Sequence, residues 1–183
     1  MDPLRTPNPT DSFDPESQAI NYQLDFLKLE HQSINELIKR IDEITQTIKN
    51  WTVLIWAGSL SLALGQAKFR PFIFLTAILP IPFWFVDGWW RRIQRSCIFR
   101  SHKISAFLNG PNLAESVRQR KLVDFKVLDV RGVQYKNDDD FKAFISVRHT
   151  LFYKEVGGFY GALILLSLLL GICFMLLPGL RTQ

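Results

Sequence analysis

The chain has little cysteine and lacks the short motifs that mark common enzyme sites. Its two cysteines, Cys97 and Cys173, lie in different segments, so we expect neither a disulfide bond between them nor a metal site. There is no P-loop, no Gly-x-Gly-x-x-Gly run, no zinc motif and no sequence context for a Ser-His-Asp triad. We therefore predict that the protein is not an enzyme and binds no cofactor or metal ion.

Basic residues are scarce at the start of the chain, and acidic residues are outnumbered in its middle. Residues 1–50 contain five Lys and Arg against nine Asp and Glu, whereas residues 88–155 contain fourteen against seven. The formal net charge of +5 is therefore unevenly placed. An acidic N-terminal region and a basic middle segment are expected to attract each other or an anionic partner.

No glycine and no proline occurs in residues 19–50, so nothing in this range breaks a helix. We predict an amphipathic stalk helix here, after a disordered arm at residues 1–18. Its seam packs either on the rest of the chain or on the same helix of another copy, because such a stripe needs a partner. The seam, spaced like a heptad repeat and completed by His31 and Thr45, consists of Ile20, Leu24, Leu27, Ile34, Ile38, Ile41 and Ile48.

Three apolar blocks predict three transmembrane helices. The first, at residues 51–64, continues the stalk, and a short link joins it to the second, at residues 71–86, in a tight hairpin within residues 51–90. The third, at residues 156–178, precedes a short tail at 179–183. The second span is predicted to bend at Pro80, Pro82 and Gly88.

Residues 91–155 form the only sizeable polar segment between the spans. We predict short helices here, together with one or two short strands in the alternating pattern of residues 123–135. The fold class is thus an all-α membrane protein with a small α segment, and a short β element, before the third span. Because most Lys and Arg lie in this segment, the N-terminus and the segment are expected in the cytoplasm and the C-terminus outside, in the inner (plasma) membrane.

The second block ends in an order that is typical of a helix leaving a bilayer, with Trp89 and Trp90 followed by Arg91 and Arg92. Asp87 lies at this boundary. We expect it to pair with Arg91, four residues along the same helix. An ion site, a proton site or a pore-lining acid is the alternative.

A basic run continues the same helix. It is expected to contact anionic lipid headgroups, with RNA or a nucleotide signal as the other ligands and no duplex nucleic acid. Arg95 and His102 also match the Arg-x4–6-His spacing of HEPN ribonucleases, a pattern that basic stretches often meet by chance. The run consists of Arg91, Arg92, Arg95, Arg100 and Lys103.

An amphipathic helix that leads into a two-span hairpin, followed by Phe83, Trp84, Asp87 and an aromatic-basic run, resembles small bacterial membrane proteins of anti-phage defence. These are SLATT-type effectors and relatives of the octameric pore protein that accompanies an RNA-guided RNA nuclease. The resemblance covers about residues 20–110. It implies a homo-oligomer of the inner membrane that responds to an immune signal and then depolarises or permeabilises the cell.

Our first hypothesis is therefore a non-enzymatic, homo-oligomeric membrane protein that forms a pore or perturbs the membrane in bacterial defence. Its partners would be other copies, anionic lipid, and a nucleotide signal or a protein at the basic segment. The alternatives are an accessory or scaffold subunit of a larger membrane complex and a membrane-anchored HEPN-like ribonuclease.

Overall fold

The computed structural model of the protein describes residues 15–176, and all regular structure in that part of the chain is helical. A 3-10 helix, Ala67–Ala77, joins α1 to α2, and a 3-10 turn, Val133–Tyr135, precedes α4. The predicted arm and tail lie outside the described residues, except that residues 15–18 belong to α1. The α-helices are α1 (Pro15–Gly65), α2 (Pro80–Leu108), α3 (Pro111–Arg118), α4 (Asp139–Phe144), α5 (Val147–Leu151) and α6 (Lys154–Leu176).

Helix α1 runs without interruption from the polar stalk into the first apolar block, as predicted. Its 51 residues extend over about 75 Å. Pro15 suits the first turn, where its missing N–H leaves no helical hydrogen bond unmade. Because no glycine or proline separates the stalk from the apolar block, one rigid helix joins the two.

The seam of α1 is buried against the rest of this chain. Leu27 and Ile34 are 1% and 0% exposed. They share one hydrophobic core with Cys97, Ile104 and Phe107. Two partners are possible for the seam, the same chain and another copy, and the structure shows the same chain. The seam is therefore not evidence for self-association.

Helix α2 lies antiparallel to α1. Going down α1 from Asp42 to Glu30, the partners on α2 go up from Arg91 to Arg100, with nitrogen–oxygen distances of 2.8 Å for both pairs. The stalk half of α1 therefore packs against the second half of α2.

Helix α6 lies parallel to α1. Trp56 Nε1 on α1 donates to Ser167 Oγ on α6 at 2.7 Å. About two turns earlier on both helices, the Lys49 ammonium lies over the Phe159 ring, 5.7 Å from its centroid. The apolar half of α1, the 3-10 helix with the start of α2, and α6 thus form a three-stranded helical bundle.

The prolines of the second apolar block begin a helix instead of bending one. The 3-10 helix ends at Ala77, and Pro80 and Pro82 lie in the first turn of α2, where a missing N–H is tolerated. Gly88 lies inside α2, and a Cβ at this position would collide with the Leu151 side chain. The break between the 3-10 helix and α2 therefore precedes the prolines. The missing side chain at Gly88 lets α5 pack closely on α2.

No strand occurs in residues 123–135, so this prediction is wrong for a segment that the structure describes in full. Leu128 has a left-handed backbone, with φ 66°, which interrupts an extended path. Side chains take the backbone groups that a neighbouring strand would need. The Lys126 carbonyl accepts from Arg100, and the Leu128 N–H donates to Glu30.

Large apolar side chains are exposed on all three segments of the bundle. By length and composition, two helical stretches can cross a membrane, Lys68–Leu108 and Asp139–Leu176. Such an apolar exterior is unusual for a protein in water and usual for one in lipid. Side chains that are more than half exposed include Leu54, Leu62, Phe72, Phe85, Leu165 and Leu176.

Candidate functional site

Three helices bring polar side chains together where the apolar exterior gives way to the polar part of the molecule. We name this set the junction cluster: Lys49 and Thr52 from α1, Asp87 and Arg91 from α2, and Tyr160 from α6. The antiparallel packing of α2 and the parallel packing of α6 place the three helices at the same level here. Arg91 follows Asp87 by one helical turn.

Asp87 and Tyr160 are the most enclosed members of the junction cluster, each 0% exposed. The Asp87 Oδ1 lies 4.0 Å from Arg91 Nε. Within the described part of the chain, neither carboxylate oxygen accepts a well-aligned hydrogen bond, although the Tyr160 hydroxyl is near enough to interact with the carboxylate. The predicted partner, Arg91, therefore lies within ion-pair distance of Asp87 but forms no hydrogen bond with it.

The Arg91 guanidinium is directed away from Asp87 by stronger contacts. Its Nη1 donates to Asp42 Oδ1 at 2.8 Å and to Gln94 Oε1 at 2.7 Å. Asp87 is thus a buried carboxylate whose neighbours, Arg91 and the Tyr160 hydroxyl, are not aligned on it as close hydrogen-bond donors, and burying a charge in this way is costly. Because Lys49 and Arg91 carry positive charge nearby, this environment does not suit a further cation.

Trp84 positions Tyr160, the member of the junction cluster that lies on α6. Its indole N–H donates to the Leu151 carbonyl at 2.9 Å. Its ring stacks on Tyr160, with centroids 6.4 Å apart. The Trp84 and Asp87 of the sequence motif therefore act together, one holding Tyr160 and the other lying beside it.

Arg100 forms a second polar centre, in the middle of the stalk and the basic segment. It has no exposed side-chain surface, and neither does Glu30 on α1. Arg100 Nε donates to Glu30 Oε1 at 2.8 Å, and its Nη2 donates to Oε2 at 3.2 Å. This two-point geometry is the strong form of an ion pair.

The Arg100–Glu30 pair also fixes the loop that follows α3. Arg100 Nη2 donates to the Lys126 carbonyl at 2.6 Å, and Nη1 donates to the Tyr135 hydroxyl at 2.9 Å. Glu30 accepts from the Leu128 and Asp129 N–H groups at 2.7 Å and 3.1 Å. Burial raises the pKa of the Tyr135 phenol above its usual value, so the hydroxyl stays protonated.

Sequence reasoning missed Glu30, although a signal was present. Glu30 lies three residues after Leu27 and four before Ile34, which places it on the buried seam. The predicted seam includes His31 instead, and His31 is only half-buried. An acid at a seam position, with an arginine available on a neighbouring helix, is the pattern that predicts a buried ion pair.

Arg95 and His102 lie seven residues apart on α2, and the structure engages Arg95 with α4. Arg95 Nε donates to the Phe144 carbonyl at 2.6 Å, and its guanidinium lies over the Phe144 ring. His102 is exposed two turns further along α2. Arg92 is separate from both, in a cleft with Arg131. Arg95 is therefore engaged in packing the α4 segment onto α2.

The described residues thus contain two buried polar centres, the Asp87 carboxylate at the edge of the apolar exterior and the Arg100–Glu30 ion pair in the stalk region. Within the described residues, no group of three or more His, Cys, Asp or Glu side chains is arranged to hold a metal ion. Comparison with family models, with curated proteins and with solved structures finds no match to this chain.

Proposed function

We propose that the protein is a three-span protein of the inner membrane and that it perturbs the membrane as an effector of bacterial defence. The stalk and residues 91–155 would lie in the cytoplasm, and the end of α6 would lie outside. In this proposal the protein has no enzymatic activity. The junction cluster is the element through which the cytoplasmic part controls the spans.

The observation that carries the proposal is the way α1 runs beside the second apolar stretch. One end of α1 is joined to the start of Lys68–Leu108, and its stalk contacts the far end of that stretch through Glu30 and Arg100. If Lys68–Leu108 crosses the bilayer, α1 has its ends on opposite sides and must cross as well. With α6 parallel to α1, the number of spans is three.

The charge distribution supports the orientation. Residues 88–155 hold fourteen Lys and Arg, whereas only Lys68 and Arg70 occur in the link between the first two apolar blocks. Cytoplasmic loops carry this excess.

Asp87 supports a role beyond anchoring. Acids within or at the edge of membrane bundles are costly to keep and are usually retained for function. Asp87 interacts electrostatically with Lys49 of α1 and Arg91 of α2 and lies beside Tyr160 of α6, so a change in its charge would change how the helices pack. Helices α1 and α2 extend from this point to the Arg100–Glu30 pair without a break, which gives a rigid connection between the two polar centres.

The vesicle-leak assay tests this function. The full chain, reconstituted into dye-loaded vesicles, is expected to release dye in proportion to the protein added. Asp87→Asn keeps the size of the side chain but removes its charge, and we expect about tenfold slower release, the factor that about 1.4 kcal/mol gives. Asp124→Asn, at an exposed position of the loop after α3, is the matched control and is expected to leak like the parent.

Two outcomes would contradict the effector proposal. One is the absence of release from vesicles that demonstrably contain the folded protein. The other is equal release by the parent and by Asp87→Asn when both unfold at the same temperature, which would remove Asp87 from the account.

Self-association, which a pore requires, is proposed on a different face from the buried seam. Tyr22, Phe26 and Leu29 recur at helical spacing on α1 and are 65%, 47% and 56% exposed. This stripe lies on the stalk, away from the apolar bundle, where lipid would not cover it. We propose that another copy of the chain covers it.

The same stripe is the observation that favours the second candidate, an accessory subunit of a larger membrane complex. Extraction of native membranes in mild detergent separates the two. A particle whose mass is a multiple of the chain favours the homo-oligomer. Recovery at fixed stoichiometry with an unrelated protein favours the accessory subunit.

A further inference from the structure

A cleft on α2 opens at the edge of the apolar exterior, on a different side of the helix from the contact with α1. Its volume is about 270 Å³. We name it the basic cleft. Its walls come from α2, the loop before α4, and α4 itself. The residues that matter here are Trp89, Arg92, Ile93, Arg131, Lys136 and Phe141.

The basic cleft holds three cationic side chains and no acidic one among its lining residues. Within the described part of the chain, no carboxylate forms an ion pair with Arg92, Arg131 or Lys136. Asp129 and Asp138, each two positions in sequence from Arg131 or Lys136, are engaged elsewhere. Asp129 accepts from the backbone N–H groups that follow it, and Asp138 lies 3.9 Å from the Lys103 ammonium. The positive charge of the cleft is therefore not neutralised by the protein.

The position of the basic cleft indicates what would neutralise it. Trp89, at its rim, is 64% exposed, two residues beyond Asp87 and next to the exposed apolar side chains of α2. Exposed tryptophans at such a boundary lie at the headgroup level of a bilayer. Ile93 and Phe141 give the cleft an apolar floor beneath the three cations.

We propose that the basic cleft binds the phosphate of an anionic phospholipid from the cytoplasmic leaflet. Arg92 and Arg131 donate to the phosphate oxygens, and Lys136 adds a further positive charge. The apolar floor takes the first carbons of the lipid, and Trp89 covers its side. The inference rests on the membrane placement proposed above. It adds a function for the loop after α3, which bound lipid would hold against the membrane surface.

The sequence alone does not predict this site. Arg92 belongs to the basic run next to the span, but Arg131 and Lys136 lie about forty residues later in the chain. They reach Arg92 because the Arg100–Glu30 pair holds the loop against α2.

The test is a thermal-unfolding titration of the full chain in a non-ionic detergent. The probes are dioctanoyl phosphatidylglycerol, dioctanoyl phosphatidylcholine and inorganic phosphate. We expect phosphatidylglycerol to raise the unfolding temperature in a saturable way, because a ligand that binds only the folded state stabilises it. Phosphatidylcholine and phosphate are expected to give little change.

The variant Arg131→Gln/Lys136→Gln is expected to weaken phosphatidylglycerol binding about 30-fold, since each basic residue near a lipid surface contributes about fivefold. The matched control is Lys121→Gln/Lys126→Gln. It removes the same charge from exposed positions of the same loop that do not line the cleft, and it should bind like the parent.

Equal weakening in the two double variants would overturn the site in favour of diffuse charge attraction. An equal response to phosphatidylcholine would overturn the selectivity, and an equal response to inorganic phosphate would replace the lipid by a soluble phosphate. A separate control distinguishes failure of the site from failure of the membrane placement. If the parent chain is released from membranes by carbonate, the placement is wrong; if it stays while the titration fails, only the cleft is wrong.

Discussion

Replacing Arg100 with alanine is expected to lower the free energy of unfolding by about 3–5 kcal/mol, because it leaves the buried Glu30 carboxylate without its partner. The same change removes the donors to the Lys126 carbonyl and the Tyr135 hydroxyl. The contacts that join α1, α2, the loop after α3 and the 3-10 turn are therefore lost together. Chemical or thermal unfolding in detergent, followed by circular dichroism, measures the loss.

Two further variants separate the pair itself from the burial of a charge. Arg100→Lys keeps the charge but loses the two-point geometry, and we expect an intermediate loss. Arg100→Met/Glu30→Leu removes both charges and is expected to recover part of the stability lost in Arg100→Ala. A double variant whose loss of stability equals the summed losses of Arg100→Ala and Glu30→Ala would contradict this interpretation.

The pair of Arg118 with Glu115 is the control within the same chain. It has the same 2.8 Å nitrogen–oxygen distance but lies at the surface of α3. Solvent screens such a pair, so Arg118→Ala is expected to leave the unfolding curve almost unchanged. Equal destabilisation by Arg100→Ala and Arg118→Ala would mean that the buried centre is not what holds the cytoplasmic part together.

The second large effect is expected at Gly171, where α6 meets the 3-10 helix. A Cβ here would lie 2.6 Å from a ring carbon of Phe74, closer than real Cβ contacts allow. Gly171→Leu must therefore displace α6 or the Phe74 ring, at an expected cost of about 1–3 kcal/mol. Small residues permit this kind of close helix approach in membrane bundles.

Gly161 provides the matched control on the same helix, because a Cβ there would meet nothing within 4 Å. Gly161→Leu is expected to leave the stability of the bundle nearly unchanged. Thermal unfolding of both variants, with the parent alongside, compares them directly. If Gly171→Leu were no less stable than Gly161→Leu, the packing of α6 against the 3-10 helix would be wrong.

Local signals in the sequence were sufficient for the long helices. The absence of a breaker between the stalk and the apolar block predicts a single α1, and the structure confirms it. The apolar runs predict three spans; two stretches meet the length and composition that a span requires, and the first block, at residues 51–64, lies in neither of them. These features depend on residues that are neighbours along the chain.

The contacts that organise the molecule depend on residues far apart in the sequence. Glu30 and Arg100 are seventy positions apart, and nothing local to either one predicts that they meet. The expected strand failed for the same reason, since Arg100 and Glu30 take the backbone groups that would have formed a ladder. A single helix pattern also cannot say whether its seam packs within the chain or between copies.

The candidate site was predicted in part. The boundary order of apolar, aromatic and basic residues points to Asp87 and Arg91 directly. Lys49, Thr52 and Tyr160 come from two other helices, and only the relative positions of α1, α2 and α6 bring them to the same level. The 4.0 Å separation between Asp87 and Arg91 could not be predicted, because it depends on Arg91 turning toward Asp42.

The central claim is that three helices cross the membrane with residues 91–155 on the cytoplasmic side. Single cysteines at Gln32, Gln66 and Lys121, all exposed positions, test it in a chain with Cys97 and Cys173 replaced by serine. In intact spheroplasts, a membrane-impermeant maleimide is expected to label the cysteine at position 66 and to reach those at 32 and 121 only after the membrane is opened. Labelling of positions 32 and 66 from the same side would show that α1 does not cross, and would contradict the account.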